Sequence, residues 1–167
     1  LIHDLSYSIV KKGYKVISGF GLGVGSHVIN GILDFKTKNS QNLEDLLLLR
    51  PFPQFASDSQ DDIQMKWENY RRDMIPEAGI AIFLFGNKLK DNTVINSDGL
   101  EKEFEICLEN NVIPIPLGAT GHVSEKLWKK VMSEPKDYYG NESDITKEIK
   151  DLNDNSKSNK ELIEIIL

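Results

Sequence analysis

Cysteine is almost absent from this sequence. Cys107 stands alone, which excludes an internal disulfide framework and any zinc or iron–sulfur site built from several thiolates. A chain this poor in cysteine suits a reducing compartment, and a cytoplasmic location is expected. The three histidines, His3, His27 and His122, lie far apart and offer no metal-ligand spacing, so no metal site is expected. No apolar run approaches the ~20 residues of a membrane span. Positive charge is in short supply: 20 Lys and Arg face 26 Asp and Glu, a net charge of −6, which argues against nucleic acid as a partner. Arginine is scarcer still, limited to Arg50, Arg71 and Arg72. No serine nucleophile elbow is present, and no catalytic residue is expected. A signal-peptide pattern is also missing; the sequence starts at Leu1 and is expected to begin inside a larger protein.

What the sequence does hold is enough apolar material for one core, 40% of 167 residues. Residues 4–12 read as the end of a helix. Tyr14–Ser18 reads as a short buried strand, followed by the run Gly19-Phe20-Gly21-Leu22-Gly23-Val24-Gly25. A helix is predicted over Ser26–Phe35 from the spacing of Val28, Ile29, Ile32 and Leu33. Leu46–Arg50 is a second strand, stopped by Pro51 and Pro53. A helix over Asp61–Ile75 ends at Pro76, and Gly79–Phe85 is a continuous apolar run of the kind found in parallel sheets. Helix Asp98–Asn110, strand Val112–Leu117 and helix Val123–Met132 follow. The prolines of that last strand place it near a sheet edge. Such alternation predicts an α/β fold, a Rossmann-like parallel sheet sandwiched by helices. Residues 133–167 carry 5 basic and 9 acidic side chains, net −4, against 15 and 17 in residues 1–132. We therefore expect a nucleotide-binding core over 1–132 and an acidic C-terminal helical extension of the same domain over 133–167. Its apolar end, Leu162–Leu167, is expected to dock.

Ligands of such folds bind beyond the carboxyl ends of the strands. Gly19, Gly21 and Gly23, with Phe20 among them, form a loop whose backbone can approach an anion, and the following helix start offers N–H groups to phosphate. A plain turn with close helix–strand packing is the alternative. On a helical wheel, Ile63, Trp67, Tyr70 and Met74 make one stripe; Arg71 flanks it and Arg72 points nearly the opposite way. Arg71 can therefore reach phosphate with its planar fork, and Arg50 is a second rim position, with a surface ion pair the alternative for each, while Arg72 is expected in solvent. Glu101, Glu105 and Glu109 share a solvated face. Glu103 lies instead on the border of the face made by Leu100, Phe104 and Cys107, and is placed in the first turn of its helix, suited to ribose hydroxyls. Cys107 belongs to the apolar side and reads as core.

The order of these features resembles the SLOG superfamily, which includes the LOG phosphoribohydrolases. Arg71-Arg72-Asp73-Met74 matches the family's Arg-Lys-x-Met at its first and last positions, and Gly99-Leu100-Glu101-Lys102-Glu103 matches the end of Pro-Gly-Gly-x-Gly-Thr-x-x-Glu at Gly99 and Glu103. The Pro-Gly-Gly is absent, Leu100 replaces Thr, and an inserted loop over Asn87–Ser97 precedes the helix. The segments SGFGLGVGSHVINGIL, LRPFPQF, YRRDMIPEAGIAIFLFGNK, SDGLEKEFEI and IPIPLGATG resemble more closely the sensor SLOG domain of Thoeris antiphage effectors, which join it to a sirtuin-like NAD-hydrolysing domain.

That resemblance implies a bacterial antiviral-defence module that binds a cyclic ADP-ribose isomer, 3′-cyclic ADP-ribose, made by a TIR-domain partner enzyme. The module is not itself an enzyme; it regulates the linked NAD hydrolase, as an allosteric sensor in a homo-oligomer. The family's ligand residues fall on Arg71, Lys88 and Glu103. The glycine loop and Arg71 would hold the pyrophosphate, Lys88 would add a positive charge, and Glu103 would accept ribose hydroxyls. Phe20, Phe52 or Phe85 would stack on adenine. The competing readings are a LOG-like nucleoside monophosphate phosphoribohydrolase and a pure assembly module whose pocket is vestigial.

Overall fold

The computed structural model describes residues 1–52, 60–141 and 143–167. Two compact units result, one over Leu1–Glu77 and one over Ala78–Ile166.

In the first unit, α1 (Ile2–Lys11) and α2 (Gly25–Asn39) pack together around Val10, Ile32 and Phe35. Their close approach depends on Gly31, where a Cβ would run into the His3 carbonyl and the Ser6 hydroxyl. Strands β1 (Val16–Ser18) and β2 (Leu47–Leu49) pair in parallel, in the register Val16 to Leu47 and Ser18 to Leu49. A single turn, α3 (Leu43–Leu46), feeds β2, and Leu46 and Leu47 complete the core. Helix α4 (Gln60–Met74) ends in a 3-10 turn, Ile75–Glu77, where Pro76 removes the next helical donor. Pro53, with the rest of the 53–59 segment, lies outside the described residues.

The second unit is built on β3 (Ile80–Phe83), which pairs in parallel with β6 (Ile113–Pro116). Pro114 and Pro116 sit in β6 at no cost to this pairing. Ile113 and Leu117 supply the N–H groups that reach Gly79 and Phe83, and the prolines fall at the alternate positions, which face away. Among the described residues, β3 is the one strand that β6 pairs with, as its prolines predict.

Between the two strands lie β4 (Asn87–Lys90), β5 (Thr93–Asn96) and α5 (Asp98–Glu109). The predicted loop over Asn87–Ser97 is thus an antiparallel hairpin, turned by Asp91 and Asn92 at φ 48° and 59°. Helix α6 (His122–Ser133) follows β6. Phe83 and Phe104 meet edge to face at 5.6 Å in the core. The architecture is therefore mixed α/β, small parallel sheets flanked by helices, as the sequence predicts for a Rossmann-like fold. The one sheet foreseen is seen as two parallel pairs, one in each unit.

The acidic end is helical and firmly packed. Helices α7 (Pro135–Tyr139), α8 (Ser143–Asp151) and α9 (Asn159–Ile166) bury Tyr139, Ile149, Leu162 and Ile163, and Leu152, just after α8, is buried with them. The Tyr139 hydroxyl donates to the Pro114 carbonyl at 2.7 Å, and the Trp128 indole donates to the Ile149 carbonyl at 2.7 Å. The apolar end docks within its own chain.

Candidate functional site

Parallel pairing aligns the carboxyl ends of β1 and β2, and it continues past them: the Arg50 N–H donates to the Ser18 carbonyl at 2.9 Å and the Phe52 N–H to the Gly19 carbonyl at 3.3 Å. The glycine loop leaves from this edge. Its glycines have separate causes. At Gly19 a side chain would run into the Phe52 ring, and at Gly25 into Phe20. Gly23 has φ +79°, which favours glycine, and Gly21 faces open space. Packing and backbone conformation therefore explain part of the run, and at Gly21 neither requires glycine. Among the described residues, no protein group accepts from the N–H groups of Gly21, Leu22 or Gly23. Such a run of amides favours an anion. Phe20 holds φ 54° beside it and is 39% exposed.

The three arginines meet three fates. Arg72 is exposed and pairs with Glu68 at 3.1 Å, one turn back, as expected. Arg50 reaches Glu77 at 3.1 Å on the surface. Arg71 is only 8% exposed, with its guanidinium carbon 5.2 Å from the centre of the Phe52 ring. The helical phase is thus shifted from the one read in the sequence. Arg71 is the most deeply buried of the described α4 side chains, and Tyr70 of the supposed apolar stripe is 40% exposed. There Arg71 meets the Phe52 ring, whose negative face suits a weakly hydrated guanidinium. Tyr70 leans on the same ring at 6.1 Å.

The second unit assembles its own strand-end cluster. After β3 the backbone turns through two left-handed residues, Phe85 at φ 55° and Gly86 at φ 88°. Thr120 and Ser124 hold this turn. The Phe85 N–H donates to Thr120 Oγ1 at 2.8 Å, and the Ser124 N–H donates to the Phe85 carbonyl at 3.0 Å. The buried Ser124 hydroxyl lies 2.7 Å from the Phe83 carbonyl and 2.9 Å from that of Leu117, tying the ends of β3 and β6 together. Sequence reasoning missed Thr120 and Ser124, whose only signal is two hydroxyl residues just after a strand.

Lys88, on β4, is exposed and forms an ion pair with Asp98, the first residue of α5. That bond holds the Asp98 carboxyl below the usual carboxylate range. Gly99 is the second residue of α5, so the pair brings Lys88 to the start of the helix that carries Gly99 and Glu103. Glu103 is half-buried, as predicted, but it is the sixth residue of α5 and so stands in the second turn. The dipole-favoured positions of the first turn belong to Asp98 and Glu101. Glu101 pairs with Lys126 at 2.7 Å, while Glu105 and Glu109 are exposed. Burial pushes the Cys107 thiol up to about 12, with the Glu103 charge adding to the effect, so it is held neutral in the core. Among the described residues no cluster of His, Cys, Asp or Glu could hold a metal, and no helix is long and apolar enough to cross a membrane.

Over residues 1–167 the chain matches the Sir2- and TIR-associating SLOG family. It belongs to that family. The chain is 41% identical over 167 residues to an NAD(+) hydrolase ThsA of Cytobacillus dafuensis and 42% identical over 168 residues to one of Bacillus cereus, covering 99% of this chain and 34% of each relative. An NAD(+) hydrolase ThsA of Enterococcus faecium is 35% identical over 139 residues, 83% of this chain and 28% of the relative. This SLOG chain thus spans about a third of the length of the curated relatives it matches. Of the residues singled out in the sequence, Gly19, Phe20, Gly21, Gly23, Arg50, Phe52 and Arg71 lie in the first unit, and Phe85, Lys88, Gly99 and Glu103 in the second.

Proposed function

We propose that this SLOG domain is a sensor for a cyclic ADP-ribose isomer, 3′-cyclic ADP-ribose. The observation that carries the proposal is Arg71, a buried residue at the strand-end edge of the same unit as the loop whose Gly21, Leu22 and Gly23 amides meet no acceptor among the described residues. A pyrophosphate has the charge and the oxygens that such a set recognises. The family resemblance further assigns positive charge to Lys88 and the acceptance of ribose hydroxyls to Glu103, both in the second unit. Phe20, exposed beside the loop, offers a face to adenine. Occupancy then favours one subunit arrangement over another in a homo-oligomer, which is how a bound messenger alters a linked catalytic domain. The parent protein hydrolyses NAD, in keeping with the name its relatives carry, and a TIR-domain enzyme supplies the messenger, in keeping with the family's name. It works in the bacterial cytoplasm, in defence against phage.

The LOG-like reading draws on the same Arg71, Met74, Gly99 and Glu103. Against it stand the missing Pro-Gly-Gly and the Leu100 that replaces threonine. Chromatography of the ligand after long incubation with the chain separates the two. A sensor returns 3′-cyclic ADP-ribose and AMP intact; release of adenine or ribose 5-phosphate from AMP at enzymatic rates makes the domain a phosphoribohydrolase.

A further inference from the structure

We infer that Phe52 is a positioning residue for ligand recognition: its ring, seated on Gly19, holds the Arg71 guanidinium at the strand-end edge. The inference rests on the proposed ligand-binding role of Arg71. Gly19 makes the seat, since any Cβ there would occupy the space of the ring. The Phe52 N–H, donating to the Gly19 carbonyl at 3.3 Å, fixes the backbone beneath it, and Tyr70 packs on the ring at 6.1 Å with a 45° tilt. The Arg71 guanidinium carbon lies 5.2 Å from the ring centre.

Stacking engages the face of the guanidinium, whereas phosphate is recognised by its in-plane N–H fork, so the two are compatible. The conformational cost of ordering a long side chain then falls on folding, and binding is spared it. Engaged by Gly19, Tyr70 and Arg71, the Phe52 ring suits a support for the cation better than a platform for adenine. A lysine at position 71 would lack both the planar stack and the fork.

The test is calorimetry of the whole chain with 3′-cyclic ADP-ribose, comparing Phe52→Leu, Phe52→Tyr, Arg71→Ala and the double variant Phe52→Leu/Arg71→Ala. Phe52→Leu should weaken binding by about three- to thirtyfold, the range of a cation–π contact. Phe52→Tyr should restore it, and Phe52→Leu should add no loss once Arg71 is alanine. Equal losses from Phe52→Leu in both backgrounds would overturn the inference, because Phe52 would then act without Arg71. Wild-type affinity in Phe52→Leu, with weak binding in Arg71→Ala, would overturn it and leave the sensor reading intact. Wild-type affinity in Arg71→Ala, or no binding by the wild-type chain, would remove the reading and this inference with it. Should Phe52→Leu fail to fold, the wild-type chain still decides: the Arg71 Nε–H proton should show an upfield ring-current shift by NMR, and a random-coil position would overturn the inference.

Discussion

Arg71 is held on the Phe52 ring, while Arg72, one residue later, pairs with Glu68 in solvent. The two should separate cleanly in a binding assay. Arg71→Ala should weaken 3′-cyclic ADP-ribose binding by about ten- to a hundredfold, the effect of losing one charge-assisted bond in a closed site. Arg72→Ala should leave it unchanged, and circular dichroism should show both variants folded. Lys88 and Asp98 offer a second test at this scale. Lys88 holds the Asp98 carboxyl below its ordinary range, so the stability from this pair is present above the usual carboxylate pKa and is lost as pH falls through the depressed one. Both side chains are largely exposed, so the gain is small, roughly 0.2–1 kcal/mol. Urea denaturation should show Asp98→Asn slightly less stable than the wild type at pH 7 and level with it near pH 2.

At the level of elements, the long periodic helices and the apolar strands were legible because burial imposes its period on the sequence. The predicted strands Gly79–Phe85 and Val112–Leu117 contain β3 and β6 with a few residues to spare. The β4–β5 hairpin was not legible. Its strands are four residues each, and its turn is Asp91-Asn92, where the usual signal ends in glycine. For the candidate residues, position was less legible than element: the wheel put Arg71 at the margin of its stripe because it has no place for a ring that stacks on a cation, and Glu103 fell one turn late. The C-terminal stretch was legible as a helical extension, but its division into α7–α9 and its firm packing were not, since only a few buried side chains, Tyr139, Ile149 and Leu152 among them, anchor a stretch of polar residues. These helices contribute to the core of their unit, which carries a prediction. A chain ending at Ser133 strips the partners of Trp128 and Gly118 and should lose cooperative thermal unfolding.

For the molecule as a whole, the docked C-terminal segment changes the argument about assembly. Leu162 and Ile163 are buried within their own chain, so the apolar end does not itself provide a surface for a second copy. Any self-association would draw on other exposed apolar groups, such as the cross-strand pair Leu89 and Val94, which are 70% and 55% exposed. Light scattering of the chain with and without 3′-cyclic ADP-ribose should report at least a dimer; a monomer in both samples would move the subunit contacts to the rest of the parent protein. The central claim is that this SLOG domain recognises a cyclic ADP-ribose isomer. Calorimetric titration of the purified chain with 3′-cyclic ADP-ribose, beside NAD, ADP-ribose and AMP, tests it most directly. The account predicts saturable binding of the cyclic compound at micromolar or lower concentration and far weaker heats from the other three. Equal affinity for all four, or no heat from the cyclic compound, would contradict it.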